Sequence, residues 1–213
     1  MVEPAKSWTA RDAWSGIAAP GRFGAHGDGV VITLRTDLRL ASLIVADGRP
    51  HGLAAAVKTR LGLNLPVRPG ATYSAGFGLI WTGPSQWLLV AENTTGFSEA
   101  LVTLSEHAAI ADQSRSRAVL RLTGPRVRET LAKGCMIDLH PTVFLPGDAA
   151  STSIAHIGAL IWRRDDAPAS ADAAFEMAVP RSMAGSFWSW LAASAAEFGA
   201  TVLTEPDRPV VRS

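Results

Sequence analysis

Hydrophobic and polar positions along this chain predict the same order of elements twice. In the first series they predict a strand at residues 30–34, a shorter strand at 43–45, a helix at 52–61, strands at 77–81 and 87–90, and a helix at 97–108. Leu53, Val57 and Leu61 recur every four residues, which places them on one helical face. The two later strands flank Thr82-Gly83-Pro84-Ser85, whose Gly-Pro pair is typical of a turn, so they form a predicted hairpin.

The second series starts near residue 118. It predicts a strand at residues 118–122, a helix after Gly124, hairpin strands at 154–162 and 175–179, and a closing helix at 181–198. Gly124 is expected to cap the first of these helices, with Pro125 at its first position. His156 falls in a predicted strand, where we expect a packed structural role.

Together the two series predict an α+β fold, a single duplicated domain at residues 30–200. Its two β-α-β-β-α halves would occupy residues 30–110 and 115–200, followed by a polar tail at 201–213. A repeat of about 80 residues is too long for a solenoid or a propeller. In this alignment Asn64 corresponds to Asp138, Pro69-Gly70 to Pro146-Gly147, and Trp81 to Trp162.

Residues 1–29 form a predicted irregular arm, because glycines and prolines interrupt every periodic pattern there. The arm nevertheless carries aromatic side chains, in which disordered tails are usually poor. Two interpretations are open: the arm packs along its own domain, or it lies across a partner protein. The candidate partner interface combines the arm with the closing helix and comprises Trp8, Arg11, Trp14, Arg22, Phe23, Trp188 and Trp190.

Composition and charge exclude several classes of function. The 213 residues carry a formal net charge of +1, so nothing indicates binding to nucleic acid or to a membrane surface. Cys135 is the only cysteine, which excludes an internal disulfide and a thiolate metal cage. The chain opens without a signal-peptide pattern and contains no apolar stretch long enough to span a bilayer, so we expect a cytoplasmic location.

No sequence motif for catalysis is present. The chain lacks Gly-x-Gly-x-x-Gly, a phosphate-binding loop and Gly-x-Ser-x-Gly, and its five histidines show no metal-ligand spacing. The most polar run, at residues 112–117, has two interpretations. Either Asp112 is a base and Arg115 an anion clamp, or Asp112 and Ser114 satisfy backbone donors while the arginines pair at a surface. We therefore assign no catalytic, cofactor-binding or metal-ligating residue.

Four blocks of sequence match a single known pattern. They are Trp81-Thr82-Gly83-Pro84-Ser85-Gln86-Trp87-Leu88-Leu89-Val90, Asp112-Gln113-Ser114-Arg115, the run from Leu120-Arg121-Leu122-Thr123-Gly124-Pro125 to Leu131-Ala132-Lys133-Gly134-Cys135-Met136-Ile137-Asp138-Leu139, and Val179-Pro180-Arg181-Ser182-Met183-Ala184-Gly185-Ser186-Phe187-Trp188-Ser189-Trp190-Leu191. The first block resembles a W-x-G-P-x-x-W-L-L signature. Together the blocks resemble the gamma subunit of heterotetrameric sarcosine oxidase.

This resemblance implies a fold related to the folate-binding domain of the glycine-cleavage aminomethyltransferase. It implies a complex that oxidises sarcosine to glycine, passes electrons through flavins to oxygen, and transfers the one-carbon unit to tetrahydrofolate. Within that complex the alpha subunit is expected to hold NAD and the folate site, the beta subunit FAD and the delta subunit zinc, with FMN between alpha and beta. The gamma subunit is expected to carry no cofactor and no active site of its own, and to contact mainly alpha, with beta and delta as further partners.

Two other functions remain open at this point. One is a free-standing folate-binding or aminomethyltransferase-like protein, with Asp112 and Arg115 near the pterin. The other is an accessory subunit of a different methylated-amine flavoenzyme.

Overall fold

The computed structural model describes residues 11–46, 50–92, 95–164 and 173–205, so Trp8 of the candidate interface lies outside it. The strands are β1 (Gly21–Phe23), β2 (Val30–Arg35), β3 (Arg39–Ile44), β4 (Ala71–Ser74), β5 (Phe77–Gly83), β6 (Gln86–Ala91), β7 (Ala109–Asp112), β8 (Arg117–Thr123), β9 (Ala149–Ile154), β10 (Ile157–Arg164), β11 (Ala174–Pro180) and β12 (Ala200–Thr204). The helices are α1 (His51–Leu61), α2 (Phe97–Leu104), α3 (Val127–Ala132) and α4 (Ala184–Ala196), and a 3₁₀ turn at Arg181–Met183 precedes α4.

The described strands form two sheets. A seven-stranded sheet has the order β1-β12-β2-β8-β11-β10-β9, and a five-stranded sheet has the order β4-β5-β6-β3-β7. Within them β12 and β2 run parallel, whereas the other neighbouring strands are antiparallel. The mixture of helices with largely antiparallel sheets confirms the predicted α+β class.

The sheets pack face to face, and the helices cover their outer faces. Helices α1 and α2 bury residues such as Leu53 against the five-stranded sheet, and α4 buries Phe187 against the seven-stranded sheet. A third apolar cluster, which includes Leu88 and Trp162, lies between the sheets. Because successive side chains of a strand point to opposite faces and both faces are covered here, every residue of β6 after Gln86 is buried. This explains the continuous apolar run in that part of the sequence.

The strands of the two sheets and the helices that connect them follow the same order along the chain. This order is β3-α1-β4-β5-β6-α2-β7 in one sheet and β8-α3-β9-β10-β11-α4-β12 in the other. Trp81 lies in β5 and Trp162 in β10, which hold the same place in the two successions. Strand β2 differs from its predicted place at the start of the first half, because it lies between β12 and β8 in the seven-stranded sheet.

The predicted strand at residues 154–162 is confirmed from Ile157 onward, but it begins with the turn of a further hairpin between β9 and β10. The chain reverses at Ala155 (φ 51°) and His156 (φ 62°), so His156 is a turn residue and not a strand residue. Two consecutive positive φ angles are typical of the type I′ turn that matches the twist of a hairpin. Ala75 (φ 48°) and Gly76 (φ 82°) make the equivalent reversal between β4 and β5. The sequence lacks the usual Asn-Gly signal at both turns, which is why periodicity alone did not reveal them.

Residues at both ends of the described chain belong to the domain. Strand β1 pairs with β12, which pairs in turn with β2 through the register Ala200↔Val30. The predicted tail was therefore wrong at residues 201–204, which form most of an internal strand. In β12 only the side chains of Ala200 and Val202 are buried, and the intervening threonine gives the segment its polar character.

Helix α3 begins at Val127, after the predicted start at Pro125. Gly124 does not cap it. Its φ is 110°, and a Cβ at this position would lie 2.6 Å from the carbonyl oxygen of Gly29. Gly124 therefore permits a close approach to the segment that leads into β2.

Candidate functional site

Asp112 and Ser114, predicted from the polar run, make hydrogen bonds within the connection between the sheets. Asp112 Oδ1 accepts a hydrogen bond from Ser114 N at 2.8 Å, and Ser114 Oγ accepts one from Leu40 N at 3.0 Å. Burial alone would raise the pKa of Asp112, but hydrogen bonds from Ser114 outweigh it and hold the pKa below its usual value. Arg115 is exposed. This geometry supports the structural interpretation of the run.

A different arginine of the same run lines a groove between the two sheets. The groove has a volume of about 630 Å³. Arg117 is the first residue of β8, and strand alternation places it on the same face as Val119, which packs between the sheets. The groove is lined by Ser42, Leu43, Ile44, Thr82, Gln86, Trp87, Leu88, Gln113, Arg117, Ser151, Thr152, Gly158, Ala159 and Leu160. Arg117 is therefore the one charged side chain among these lining residues.

The guanidinium of Arg117 has no counter-charge among the described residues. Its Nε is buried without a hydrogen-bond partner, and the ion pairs among the described residues involve other arginines and Lys133. Burial lowers the pKa of Arg117, as expected for a cation that loses hydration without gaining a carboxylate. The groove thus presents a partly desolvated positive charge among hydroxyl, amide and apolar groups.

Charged side chains gather at the other end of the interface between the sheets, beyond Val119. Glu176 accepts hydrogen bonds from Arg35 Nη1 and from Arg121 Nε and Nη2, the latter two at 2.9 and 2.6 Å. Arg164 Nη1 lies 2.9 Å from Glu92 Oε1, which links β10 of one sheet to the end of β6 in the other. We call the following set the charge cluster: Arg35, Asp37, Glu92, Arg121, Arg164, Glu176 and Glu205.

The charges of this cluster compensate one another. The Arg35 and Glu176 side chains are only 2% and 1% exposed. Burial opposes the charge of Arg35, but Glu176 and the other nearby carboxylates raise its pKa above the usual value. Burial also raises the pKa of Glu205, and Arg35 only partly offsets this effect. Since each cation of the cluster faces a carboxylate, the arrangement is suited to joining the sheets and not to proton transfer with a substrate.

The aromatic residues of the candidate interface pack on their own domain. Trp14 is 1% exposed, and its Nε1 donates a hydrogen bond to Val119 O at 2.8 Å. The Trp188 ring lies 6.4 Å from the Trp14 ring and 6.3 Å from the Phe23 ring, both edge-on. The prediction that Trp14 contacts a partner is therefore wrong, because its whole ring is already buried in the core. Phe23 and Trp188 are half-buried against the same core.

Arg11, Arg22 and Trp190 also contact other residues of the described chain. Arg181 Nη2 donates to the carbonyl oxygens of Arg11 (2.9 Å) and Asp12 (3.0 Å), which fixes the arm to the start of α4. Arg22 pairs with Asp28 at 2.8 Å on the surface. Trp190 lies 5.6 Å from Phe187, and a Cβ on Gly134 would approach its Cζ2 atom to 2.7 Å. For residues 11–29 these contacts favour the interpretation in which the arm packs along its own domain.

The described residues contain no group of three or more His, Cys, Asp or Glu side chains arranged to hold a metal ion. Within the same part of the chain, no helix has the length and apolar character needed to cross a membrane.

Sequence comparison identifies relatives of one kind. Residues 45–197, well over half of the chain, match the model of the "Sarcosine oxidase, gamma subunit family". Sarcosine oxidase subunit gamma from Arthrobacter sp. is 36% identical over 113 residues, which are 51% of this chain and 56% of the relative. The same subunit from Corynebacterium sp. (strain U-96) is 35% identical over 113 residues, covering 51% and 55%. The matched segment thus spans little more than half the length of these curated relatives.

Structure comparison supports the same relationship. A chain of heterotetrameric sarcosine oxidase from Corynebacterium sp. U-96, in complex with pyrrole 2-carboxylate, has a TM-score of 0.74 and 26% identity, covering 89% of this chain and 96% of that one. Aminomethyltransferase T of the glycine cleavage system from Bartonella henselae has a TM-score of 0.57 and 14% identity, covering 83% and 48%. The second likeness confirms the expected fold. With more than half of its length matched by the family model, this chain belongs to the sarcosine oxidase gamma subunit family.

Proposed function

We propose that this chain is a non-catalytic gamma subunit of a heterotetrameric sarcosine oxidase in the cytoplasm. The observation that carries this proposal is the structural match to 96% of a chain from such a heterotetramer. The assembled complex would oxidise sarcosine to glycine and form hydrogen peroxide and methylene-tetrahydrofolate. The gamma subunit would serve assembly by docking on the alpha subunit, with beta and delta as further partners.

The internal pairing of polar groups supports a role without chemistry. Asp112 and Ser114 are used by backbone hydrogen bonds, and Glu176 is held between Arg35 and Arg121. A general acid or base needs a titratable group that can reach a substrate, and these groups are already occupied. FAD, FMN, NAD, tetrahydrofolate and zinc are accordingly proposed to lie in the other subunits.

The docking surface is proposed to lie on two loops and not on residues 11–29 of the arm. Val67 is 84% exposed in the loop before β4, and Val143 and Leu145 are 56% and 50% exposed in the loop before β9. The two loops meet where Ala71 N donates to Gly147 O at 2.7 Å. Exposed apolar side chains that gather in one region mark interaction sites, so we name Val67, Val143 and Leu145 the apolar loop surface and assign it to the alpha subunit.

The internal repeat is proposed to reflect a duplication. The matching successions of elements, and the equivalent turns at Ala75–Gly76 and Ala155–His156, support it. Each unit contains more strands than the predicted β-α-β-β-α half. The additional strands are β4 and β7 in the first unit and β9 and β12 in the second.

Co-expression tests the proposed function. The tagged chain, expressed with the sarcosine oxidase alpha, beta and delta subunits of its own organism, should co-purify with them in equal amounts. That complex should produce hydrogen peroxide when sarcosine is added, and the isolated chain should neither bind flavin nor turn over sarcosine. Stoichiometric tetrahydrofolate binding by the isolated chain would favour the folate-binding alternative. Faster oxidation of another methylated amine would favour a different flavoenzyme.

A further inference from the structure

Arg117 brings to its groove a positive charge that has no counter-charge among the described residues. The proposed role in assembly does not require this charge. We propose that this groove binds an organic carboxylate with an apolar body, and that Arg117 holds the carboxylate group. The inference stands apart from the proposed function, because it depends on the groove alone.

The charge environment of Arg117 differs from that of Arg35. Arg35, at the other end of the interface between the sheets, lies within ion-pair distance of Asp37, Glu92, Glu176 and Glu205. Arg117 has no such carboxylate among the described residues, and its Nε is buried without a hydrogen-bond partner. A buried donor without a partner destabilises the fold. A carboxylate suits this position because the guanidinium fork can bind it through two parallel hydrogen bonds.

The groove has the size and the lining of a small-molecule site. A volume of about 630 Å³ falls within the range of roughly 300–1,000 Å³ that small-molecule sites occupy. Ile44, Leu88 and Leu160 give the groove an apolar wall, and Gln86 and Gln113 bring amide groups. Ile44 is 41% exposed, so part of that wall is open to an entering molecule. This combination fits a ligand with one anionic end and an apolar body, rather than a small inorganic anion.

Gly158 lines the groove and has open space beside its Cα. A Cβ built on Gly158 would meet no atom within 4 Å, and its φ lies outside the left-handed region. A leucine at this position would therefore fill the groove without backbone strain. Gly158→Leu tests the groove without touching Arg117.

The experiment uses the full-length chain and equilibrium dialysis with radiolabelled phenylacetate. Phenylacetate should bind saturably and phenylacetamide, its uncharged counterpart, should not. The Nε–H resonance of Arg117 should shift during the titration. Arg117→Gln should weaken binding by about 10- to 100-fold, the loss expected for one charged hydrogen-bond partner. Gly158→Leu should weaken it at least as much, whereas Gly185→Ala, a second glycine with open space around it, and Arg115→Gln should bind normally.

Three results would overturn the proposal. Acetate or phosphate that shifts the Arg117 resonance as strongly as phenylacetate would indicate a general anion site. Normal phenylacetate binding by Gly158→Leu would place the ligand outside the groove, and this variant decides the matter if Arg117→Gln fails to fold. Loss of phenylacetate binding in the assembled complex would identify a partner side chain as the natural carboxylate.

Discussion

Arg35 and Glu176, 141 residues apart in the chain, form a hydrogen-bonded ion pair that is almost wholly buried. Arg35 ends β2 and Glu176 lies in β11, with β8 and its Arg121 between them. Since isolated buried charges are strongly unfavourable, the pair requires the additional hydrogen bonds and carboxylates of the charge cluster. The cluster therefore couples the register of the seven-stranded sheet to its packing on the five-stranded sheet through Arg164 and Glu92.

Glu176→Ala should destabilise the domain by about 3–5 kcal/mol, because it leaves Arg35 buried without its main counter-charge. Chemical denaturation followed by circular dichroism measures the change. Glu129→Ala removes an exposed pair with Arg126 and should cost less than about 1 kcal/mol. Equal losses for the two variants would show that the buried pair contributes no more than a surface pair.

Trp14→Ala should reduce the free energy of unfolding by about 3–5 kcal/mol, since it removes a large buried ring. Trp14→Phe should lose about 1–2 kcal/mol, because the hydrogen bond to Val119 O is lost. For the same reason, deletion of residues 1–25 should destabilise the domain itself. Arg22→Ala is the control on the arm surface. A Trp14→Ala variant that keeps wild-type stability but assembles poorly would restore the partner-contact hypothesis for the arm.

His156→Gly should stabilise the domain by about 0.5–1 kcal/mol. Glycine adopts the left-handed backbone of this turn without the steric penalty of a Cβ, although its freedom in the unfolded chain offsets part of the gain. Gly76→Ala at the equivalent turn should destabilise by about 1 kcal/mol. Thermal unfolding of both variants checks the prediction, and a loss of stability in His156→Gly would assign the imidazole a contact that outweighs the strain.

Asp112→Asn should change how stability depends on pH. The pKa of Asp112 is lowered in the folded state, so its carboxylate stabilises the fold above the unfolded pKa of about 3.9. That contribution is lost as the pH falls through the folded pKa. The stability difference between wild type and Asp112→Asn should therefore be largest near neutrality and shrink in acid. Glu106→Gln, an exposed carboxyl, is the control. A difference that stays constant from neutrality to pH of about 3 would contradict the assignment.

Val67→Asp combined with Leu145→Asp should weaken assembly with the alpha subunit by more than about tenfold, because carboxylates would be desolvated in the proposed contact. Val102→Asp is the matched control, since Val102 is 70% exposed on α2, outside the apolar loop surface. Binding to immobilised alpha subunit gives the affinities. Unchanged affinity of the double variant would place the interface elsewhere.

Local signals in the sequence were sufficient to predict several elements of the fold. The apolar spacing located α1 and α4, and the Gly-Pro pair located the β5–β6 turn, because a helix stripe and a turn depend on neighbouring residues. Family blocks were recognisable for the same reason, since each is a short contiguous run.

Long-range contacts decided the sheet topology and the orientation of several side chains. The sequence by itself determined the α+β class, most helices and the family. Only the tertiary structure placed β2 beside β8 and β12, buried Trp14 under Val119, and turned Arg117 toward the groove while Arg115 stayed exposed. The alternation along β8 places Arg117 and Val119 on the same face of the strand. The sequence of the strand does not show which of its two faces packs against a second sheet, so it could not identify Arg117 as a groove residue. Such choices depend on pairing between segments distant in sequence, where burial and hydrogen bonding of the whole domain select one partner.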